Sequence, residues 1–332
     1  MEKNKFCIIA NSSDFAGIGA IAGFVITNVL YSLEKGYIPI VDMKYHQNQY
    51  YKDGREFKDN AWEYFFEQPF GYTLDDIDDN SEVIFCPQKV KVTKKYWLPQ
   101  AALPENTVVS LSESTNILRE NSKKYIKFNQ KTLDYMQEQY NKIVGENQNV
   151  LGVLARGTDY SVRKTKGEHI QPSVKAIISK IKEYLKKYPE ITKIYLATED
   201  DFIFKSIKSQ FGDMIIDNNQ YRYVYDSKAK QYLCDIDVER ENHCYNLALE
   251  YLASLYILSK CKYFIGGRTS GTKMLWIMQD SWQDLYIWSL GRYGANNFIK
   301  KIFSVSNDLT IGYKVLIILG FKIKISKLKS SM

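Results

Sequence analysis

Between residues 150 and 288 the chain alternates short apolar runs with segments of helical periodicity, and this alternation constrains the fold most strongly. Apolar residues at three- and four-residue spacing predict helices over Ser173–Tyr188, which Pro189 ends, and over His243–Ser259. The apolar runs predict strands at Val150–Leu154, Ile194–Ala197, Met214–Ile216, Tyr263–Ile265 and Leu285–Trp288. Strands that alternate with helices predict a parallel sheet covered on both faces.

The N-terminal half begins with the same alternation. We expect a strand at Phe6–Ala10, a helix at Ile18–Leu33, a second strand at Ile38–Val41, and a further helix near Gln130–Ile143 after an aromatic-rich insertion. The sequence therefore predicts an α/β protein with two Rossmann-like domains whose parallel sheets face a cleft. A polar joint near residue 147 separates the expected domains, 1–147 and 148–300, and a basic amphipathic segment, 301–332, follows them.

Composition excludes several classes of protein. With 45% hydrophobic and 25% charged residues the chain is typical of a soluble globular protein, and its net charge of +7 favours anionic partners. Five cysteines without a C-x-x-C pair indicate a reducing compartment, and the three histidines show no zinc-site spacing. We expect a cytoplasmic protein without a signal peptide or spanning helix. The lysines are spread along helix faces, which argues against nucleic acid as a partner.

Charged side chains follow three of the predicted strands. Arg156, Glu199 and Arg268 each come directly after an apolar run. Ligands of open parallel sheets bind at the carboxyl ends of the strands, so we expect these side chains to converge on one site.

The stretch L-A-R-G-T-D (154–159) has the composition of an anion clamp. Arg156 offers two parallel donors to a phosphate, the backbone of Gly157 and Thr158 can add N–H groups, and Asp159 would orient the guanidinium. The alternative is a structural pair between Arg156 and Asp159 that closes the loop.

Two further stretches allow a binding role or a purely structural one. In A-T-E-D-D (197–201), the three consecutive carboxylates of Glu199, Asp200 and Asp201 could bind sugar hydroxyls or a nucleobase edge, or an Asp or Thr of this stretch could simply cap the next helix. In G-G-R-T-S-G (266–271), glycines with Thr269 and Ser270 could form an anion cradle at a helix N-terminus, or only a capped tight turn. The spacing is not that of a P-loop.

A dinucleotide-binding fingerprint is the main competing interpretation. Gly17 and Gly19 fit G-x-G-x-x-[GA], and Asp42 lies at the spacing that would place it on a ribose hydroxyl. The polar stretch Asn11–Asp14 separates the strand from the first glycine, whereas in the fingerprint that glycine follows almost directly. An NAD(P)-dependent Rossmann enzyme remains an alternative at this point.

Taken together, these motifs resemble those of the GDP-fucose-dependent fucosyltransferases: the α1,6 type, the nodulation type and the protein O-fucosyltransferases. The matching stretches are L-A-R-G-T-D, A-T-E-D-D, K-G-E-H-I-Q-P (166–172), I-L-S-K-C-K-Y-F-I-G-G-R-T-S-G (257–271) and N-A-W-E-Y-F-F-E-Q-P (60–69). The chain departs from the family pattern at three positions. Leu154 replaces a histidine, Gly157 replaces a second arginine, and Ser254 stands where an aspartate is expected, with Glu250 one turn earlier as a substitute.

The resemblance implies a GT-B-like inverting glycosyltransferase that needs no metal and builds a bacterial surface polysaccharide from GDP-fucose and a glycan or lipid-linked glycan acceptor. Domain 148–300 would bind the donor and domain 1–147 the acceptor. The implied catalytic residues are Arg156, Glu168 and Asp159, with Glu168 as general base and His169 as a rival. The implied donor-binding residues are Arg156, Thr158, Thr198, Glu199, Asp200, Glu250, Arg268, Thr269, Ser270, Gly17 and Gly19. A catalytically inactive sugar-nucleotide-binding protein is a second alternative.

The C-terminal stretch 315–331 mixes apolar residues with four lysines. It could rest on an anionic membrane surface at the inner face of the membrane, or pack on the fold with its lysines facing water. The lysines are Lys322, Lys324, Lys327 and Lys329.

Overall fold

The structure is a computed structural model that describes most of the 332 residues. The described ranges are 4–10, 16–46, 48–87, 120–147, 149–224, 236–278, 282–294, 303–308, 313–319 and 321–327.

The N-terminal half forms a parallel sheet of three strands in the order β2-β1-β3. These are β1 (Lys5–Ile9), β2 (Ile38–Val41) and β3 (Glu82–Phe85). Helix α1 (Ile18–Glu34) connects β1 to β2 and buries Ile21, Val25 and Val29 in the core. The predicted first strand, first helix and second strand are confirmed to within a residue. Strand β3 was not predicted, because it is four residues long and alternates between exposed and half-buried positions.

The C-terminal half forms a parallel sheet of five strands in the order β6-β5-β4-β7-β8. All predicted strands and helices of this half are present. Its strands are β4 (Val150–Leu154), β5 (Lys193–Ala197), β6 (Ile215–Ile216), β7 (Tyr263–Gly266) and β8 (Asp284–Ile287). Its helices, after α2 (Gln130–Ile143) of the N-terminal half, are α3 (Thr158–Arg163), α4 (Val174–Lys187), α5 (Asp201–Phe211), α6 (His243–Lys260) and α7 (Ser270–Met278). The predicted α/β fold with parallel sheets is confirmed.

Two pairs of helices join the halves. Helix α1 packs against α7, and α2 packs against α6. The aromatic insertion adds to this contact, because Phe65 stacks on Tyr245 of α6 with ring centroids 5.4 Å apart. Reciprocal hydrogen bonds between Asp53 and Asn242, of 2.9 and 2.7 Å, close the same seam. One hydrophobic core therefore runs through both halves.

The chain ends in an antiparallel sheet in the order β11-β10-β9, formed by β9 (Phe303–Asp308), β10 (Tyr313–Ile318) and β11 (Phe321–Lys327). The sequence was interpreted only as a basic amphipathic segment, and its period-two alternation of Phe321, Ile323 and Ile325 with lysines was the signal for a strand. Lys324 is exposed; the side chains of Lys322 and Lys327, and all of Lys329, lie outside the described structure. Among the described residues, no helix has the length and apolar character needed to cross a bilayer.

Candidate functional site

The register of the larger sheet brings the three charged strand ends together. Leu154, the last residue of β4, pairs with Ala197 of β5 and with Gly266 of β7. Arg156, Glu199 and Arg268 lie two residues beyond these paired positions. Because the strands are parallel and adjacent, the predicted convergence of the three residues at one sheet edge is present.

Arg156 forms an ion pair with Glu199 across the ends of β4 and β5. The two side chains are 28% and 14% exposed, so the pair is withdrawn from bulk water without being sealed. The guanidinium carbon also lies 5.3 Å from the ring centroid of Tyr160 in α3. Glu199 is therefore one partner of Arg156. The side chains of Thr158 and Asp159 lie outside the described structure.

Asp200 of A-T-E-D-D caps α5. Asp200 is buried, and its Oδ1 accepts a hydrogen bond of 3.0 Å from the Ile203 N–H. The hydroxyl of buried Thr198 accepts a bond of 3.3 Å from the Asp200 N–H. Asp200 thus fills the capping role that the sequence left open, and Thr198 bonds to the backbone of this cap residue. The part of both residues in donor binding stays a prediction.

The backbone of the turn 266–271 lies close to neighbouring side chains. The Thr269 hydroxyl caps α7 by accepting from the Thr272 N–H at 3.1 Å, and the Thr272 hydroxyl donates to the Gly267 carbonyl. A methyl group at Gly271 would lie 1.9 Å from the Tyr251 hydroxyl oxygen, and one at Gly267 would lie 2.0 Å from Oε1 of Gln171. A larger residue at either position would therefore have to displace the side chain of Tyr251 or Gln171.

The glycines at the start of α1 meet this turn from the other half. A methyl group placed at Gly19 would lie 3.4 Å from the backbone of Ser270 and 3.1 Å from the Met274 sulfur. Among the described residues, no side chain caps α1 at Gly17. The N-termini of α1 and α7 therefore meet, and each brings the positive end of a helix dipole to the same place.

Asp42 is engaged within its own loop. Its Oδ1 accepts from the N–H groups of Lys44 and Tyr45 at 2.8 and 3.0 Å, and its Oδ2 lies 3.0 Å from Nδ1 of His46. The side chain is buried. This geometry leaves Asp42 poorly placed for the ribose contact that a dinucleotide fingerprint needs.

The segment 166–171 folds over the turn 266–271. Nε2 of Gln171 donates to the Arg268 carbonyl at 3.0 Å, and Nη1 of Arg292 donates to the Gly167 carbonyl at 2.6 Å. The Tyr293 N–H donates to the Glu168 carbonyl at 2.9 Å. Glu168 and His169 are therefore fixed beside Arg268 by backbone contacts on both sides.

A cluster of positive charge surrounds His169. Burial, helped by Arg292, Arg268 and Lys273, lowers the pKa of His169 to about 4. Partial burial of the ammonium, and then Arg292, lowers the pKa of Lys273, while Glu168 opposes the shift. Glu168 is exposed and close enough to influence Lys273. The local field would favour a bound anion.

Glu250 lies on α6. It forms an ion pair with Arg240, and its Oε2 accepts a 2.9 Å hydrogen bond from the Tyr221 N–H. The ring of Tyr221 packs edge-on against His243, whose Nε2 lies 2.8 Å from the Tyr223 hydroxyl. Ser254, where the family pattern expects an aspartate, is buried and bonded to Asn218.

Sequence reasoning missed several residues around the site. Arg292 lies five residues beyond the end of β8, so the rule that found Arg156, a charge directly after an apolar run, could not have found it. Lys273 lies in the first turn of α7, and it belongs to no motif by which the sequence could have identified it. The remaining missed residues form the polar-aromatic cluster beside Glu250: Tyr221, Tyr223, Arg240 and His243.

No family model and no curated protein matches the chain. It is similar to solved structures at low identity. Fucosyltransferase NodZ from Bradyrhizobium is 13% identical, with a TM-score of 0.48 over 89% of this chain and 98% of that chain. A variant of FUT1 of Arabidopsis thaliana in complex with GDP is 10% identical, with a TM-score of 0.46 over 89% and 71% of the two chains. POFUT1 in complex with GDP-fucose is 9% identical, with a TM-score of 0.46 over 87% and 98%. Fucosyltransferases, the enzymes that the sequence motifs resemble, are thus among the similar structures.

Proposed function

We propose that the protein is an inverting glycosyltransferase that transfers fucose from GDP-fucose to a glycan. The observation that carries the proposal is the meeting of the N-termini of α1 and α7 beside Arg156 and Arg268, at the carboxyl edge of a parallel sheet. Backbone donors, helix dipoles and arginine side chains are the groups that bind a diphosphate. GDP and fucose come from the resemblance of the sequence motifs.

In this mechanism the bond between the sugar C1 and the diphosphate oxygen breaks, and the electron pair leaves with the diphosphate. The acceptor hydroxyl attacks C1 from the opposite face, which inverts the configuration. Arg156 and Arg268 would stabilise the charge that grows on the leaving group, and the first turns of α1 and α7 would add N–H donors. Lys273 and Arg292 extend the positive field. With these charges supplied by the chain, we propose that transfer needs no metal.

The proton of the acceptor hydroxyl needs a base, and we propose Glu168. It is exposed beside the cationic cluster, and backbone bonds hold its segment against residues 291–293. His169 is the weaker candidate, because its imidazole is partly buried beside Arg292, Arg268 and Lys273 whereas Glu168 is exposed to an incoming acceptor. Asp159, at the start of α3, is the remaining candidate.

The nucleotide would extend from the diphosphate toward α6. A guanine presents N–H donors that a carboxylate accepts, and Glu250 is the carboxylate in that direction. Tyr221 and His243 offer aromatic surface beside it. We propose that residues 148–300 bind the donor and residues 1–147 the acceptor.

We further propose a role in a bacterial surface polysaccharide, with a glycan or lipid-linked glycan as acceptor and a cytoplasmic location. The exposed Lys324 and the exposed apolar residues Phe321, Ile323 and Ile325 of β11 support peripheral contact with an anionic membrane.

The direct test incubates the protein with GDP-fucose, GDP-mannose or UDP-galactose and a mixture of neutral oligosaccharide acceptors, with and without excess EDTA, and follows nucleotide release by chromatography. We expect GDP release from GDP-fucose that EDTA does not change. Release that EDTA abolishes and Mg²⁺ restores would contradict metal independence. Binding of GDP without turnover of any donor would favour the alternative of an inactive sugar-nucleotide-binding protein.

A further inference from the structure

A groove in the N-terminal half takes no part in the donor site described above. Its volume is about 470 Å³, within the range of roughly 300–1,000 Å³ that is usual for small-molecule sites. The side chains that matter for its chemistry are Glu63, Glu67, Gln68, Phe70, Thr73 and Lys127. They belong to the aromatic insertion and to the segment that precedes α2.

The floor of the groove is rigid. Gln68 is buried, and its amide both accepts from and donates to the backbone of Val41 at 2.9 Å, while donating to Glu63 Oε1 at 2.9 Å. The Glu67 N–H donates to the Lys127 carbonyl at 2.8 Å, and the Glu67 carbonyl accepts from the Trp62 indole at 3.0 Å. These bonds fix the backbone from which the groove's side chains project.

One wall of the groove is an aromatic ledge. Phe70 stacks on the buried ring of Tyr125, with centroids 5.5 Å apart and planes 25° apart, yet remains 42% exposed. The Lys124 ammonium lies 4.9 Å from the Tyr125 ring centroid. Behind the ledge, Phe66 stacks on Trp62 at 4.2 Å. Phe70 thus offers a flat apolar face to whatever enters.

Hydrogen-bond donors and hydrogen-bond acceptors both surround the exposed face of Phe70. Glu63 and Glu67 are exposed and supply carboxylate oxygens, which only accept hydrogen bonds, while Lys127 supplies an ammonium that only donates. Thr73 can do both, although its hydroxyl also bonds to Asp76 at 3.0 Å. The charged lining residues are Glu63, Glu67 and Lys127, which together carry a net charge of −1, and the nearby Asp76 carboxylate adds to this negative charge.

We propose that this groove binds a neutral pyranose residue of the acceptor glycan. The C–H face of a pyranose carries partial positive charge and packs on the electron-rich face of an aromatic ring such as Phe70. Its hydroxyls both donate and accept, which matches the mixed rim of carboxylates and ammonium. The net negative charge of the lining disfavours sulfated or phosphorylated sugars.

The position of the groove fits this role. Gln68 ties it to Val41, the last residue of β2, and β2 lies beside β1, whose chain leads to the N-terminus of α1 in the donor site. The groove and the donor site therefore share the carboxyl edge of the N-terminal sheet. That the bound glycan is the acceptor rests on the proposed function; that the groove binds sugar does not.

Saturation-transfer NMR with a panel of oligosaccharides tests the proposal. The panel contains neutral gluco-, galacto-, manno- and N-acetylglucosamine oligomers and one sulfated oligomer. We expect at least one neutral oligomer to bind at millimolar concentration without donor. Phe70→Ala should weaken that binding by about tenfold or more, and Glu67→Gln should weaken it too. Phe202→Ala, which removes an aromatic ring that is 71% exposed on α5, is the matched control and should bind normally.

Three outcomes would overturn the proposal: no neutral oligomer binds, the sulfated oligomer binds best, or Phe70→Ala binds as well as the unaltered protein. GDP affinity, measured on the same samples by calorimetry, separates this inference from the proposed function. Sugar binding that depends on Phe70 in a protein that fails to bind GDP would support the groove and contradict the donor site.

Discussion

At the scale of single residues, the central feature of the site is the ion pair between Arg156 and Glu199. Arg156 and Glu199 pair in a half-buried position, so each offsets part of the cost of desolvating the other when no ligand is bound. An incoming diphosphate would compete with Glu199 for the guanidinium. Glu199 would then be free to accept hydrogen bonds from the sugar, as expected of a carboxylate at a strand end.

Removing Arg156 tests its role most directly. We expect Arg156→Ala to lower turnover of GDP-fucose by about 10²–10³, because one donor to the developing oxyanion is lost. Arg156→Lys should rescue poorly, since an ammonium lacks the planar fork. The control is Arg55→Ala, which removes an arginine of the N-terminal half that pairs with Asp59 away from the site. Near-normal turnover in a folded Arg156→Ala protein would make Arg156 a structural residue.

Substitutions at residues 168 and 169 distinguish the candidate bases. Glu168→Gln should reduce transfer by about 10²–10⁴-fold and leave GDP affinity nearly unchanged, because the base acts on the acceptor. His169→Gln should retain transfer. Initial rates and calorimetric GDP affinities measure the two effects separately. Full activity of Glu168→Gln together with an inactive His169→Gln would move the role of base to His169.

His169 also predicts how stability depends on pH. Its pKa is about 4 in the folded protein and about 6.5 when unfolded, so the unfolded state binds more protons between these values. The stability contribution is complete above pH 6.5 and is lost as pH falls toward 4, by at most about 3 kcal/mol. Urea unfolding at pH 7.5 and pH 5 should therefore show a smaller loss for His169→Gln than for the unaltered protein. Equal losses would mean that the imidazole is not held neutral.

At the scale of elements, the strand ends could be predicted from sequence and their partners could not. Apolar runs of four or five residues followed by Arg156, Glu199 and Arg268 identify three strand exits without any tertiary information. Which acid faces Arg156 depends on strand order, and the order β5-β4-β7 places Glu199 beside it. The close contact between Gly19 and Ser270 joins residues 251 positions apart, and local patterns carry no trace of it.

The turn before α7 offers an element-scale test. We expect Gly271→Ala to destabilise the protein and weaken GDP binding, because the new methyl group would lie 1.9 Å from the Tyr251 hydroxyl. Tyr251→Phe removes the clashing oxygen, so the double variant should recover part of the loss. Gly23→Ala, an exposed site on α1 with no atom in the way, should be neutral or stabilise by about 0.5–1 kcal/mol. Additive effects of Gly271→Ala and Tyr251→Phe in thermal unfolding would contradict this packing.

At the scale of the whole molecule, the two parallel sheets and the helices that join them follow from the alternation of patterns along the chain. The sheet β11-β10-β9 does not follow from charge and hydropathy alone, because the same alternation of apolar residues with lysines also fits a basic amphipathic segment. The boundary near 147 remains a proposal, since α2 packs on α6 and one core runs through both halves. The site we propose depends on both halves, because α1 belongs to the N-terminal half and α7 to the C-terminal half.

Isothermal calorimetry with GDP, UDP and NAD tests the central claim most directly, because the claim is that the meeting of α1 and α7 holds a guanosine diphosphate. The account predicts that GDP binds and that UDP and NAD do not. It also predicts that Arg156→Ala and Arg268→Ala each weaken GDP binding. NAD binding equal to or tighter than GDP binding would contradict the account and favour a dinucleotide enzyme that uses Gly17 and Gly19.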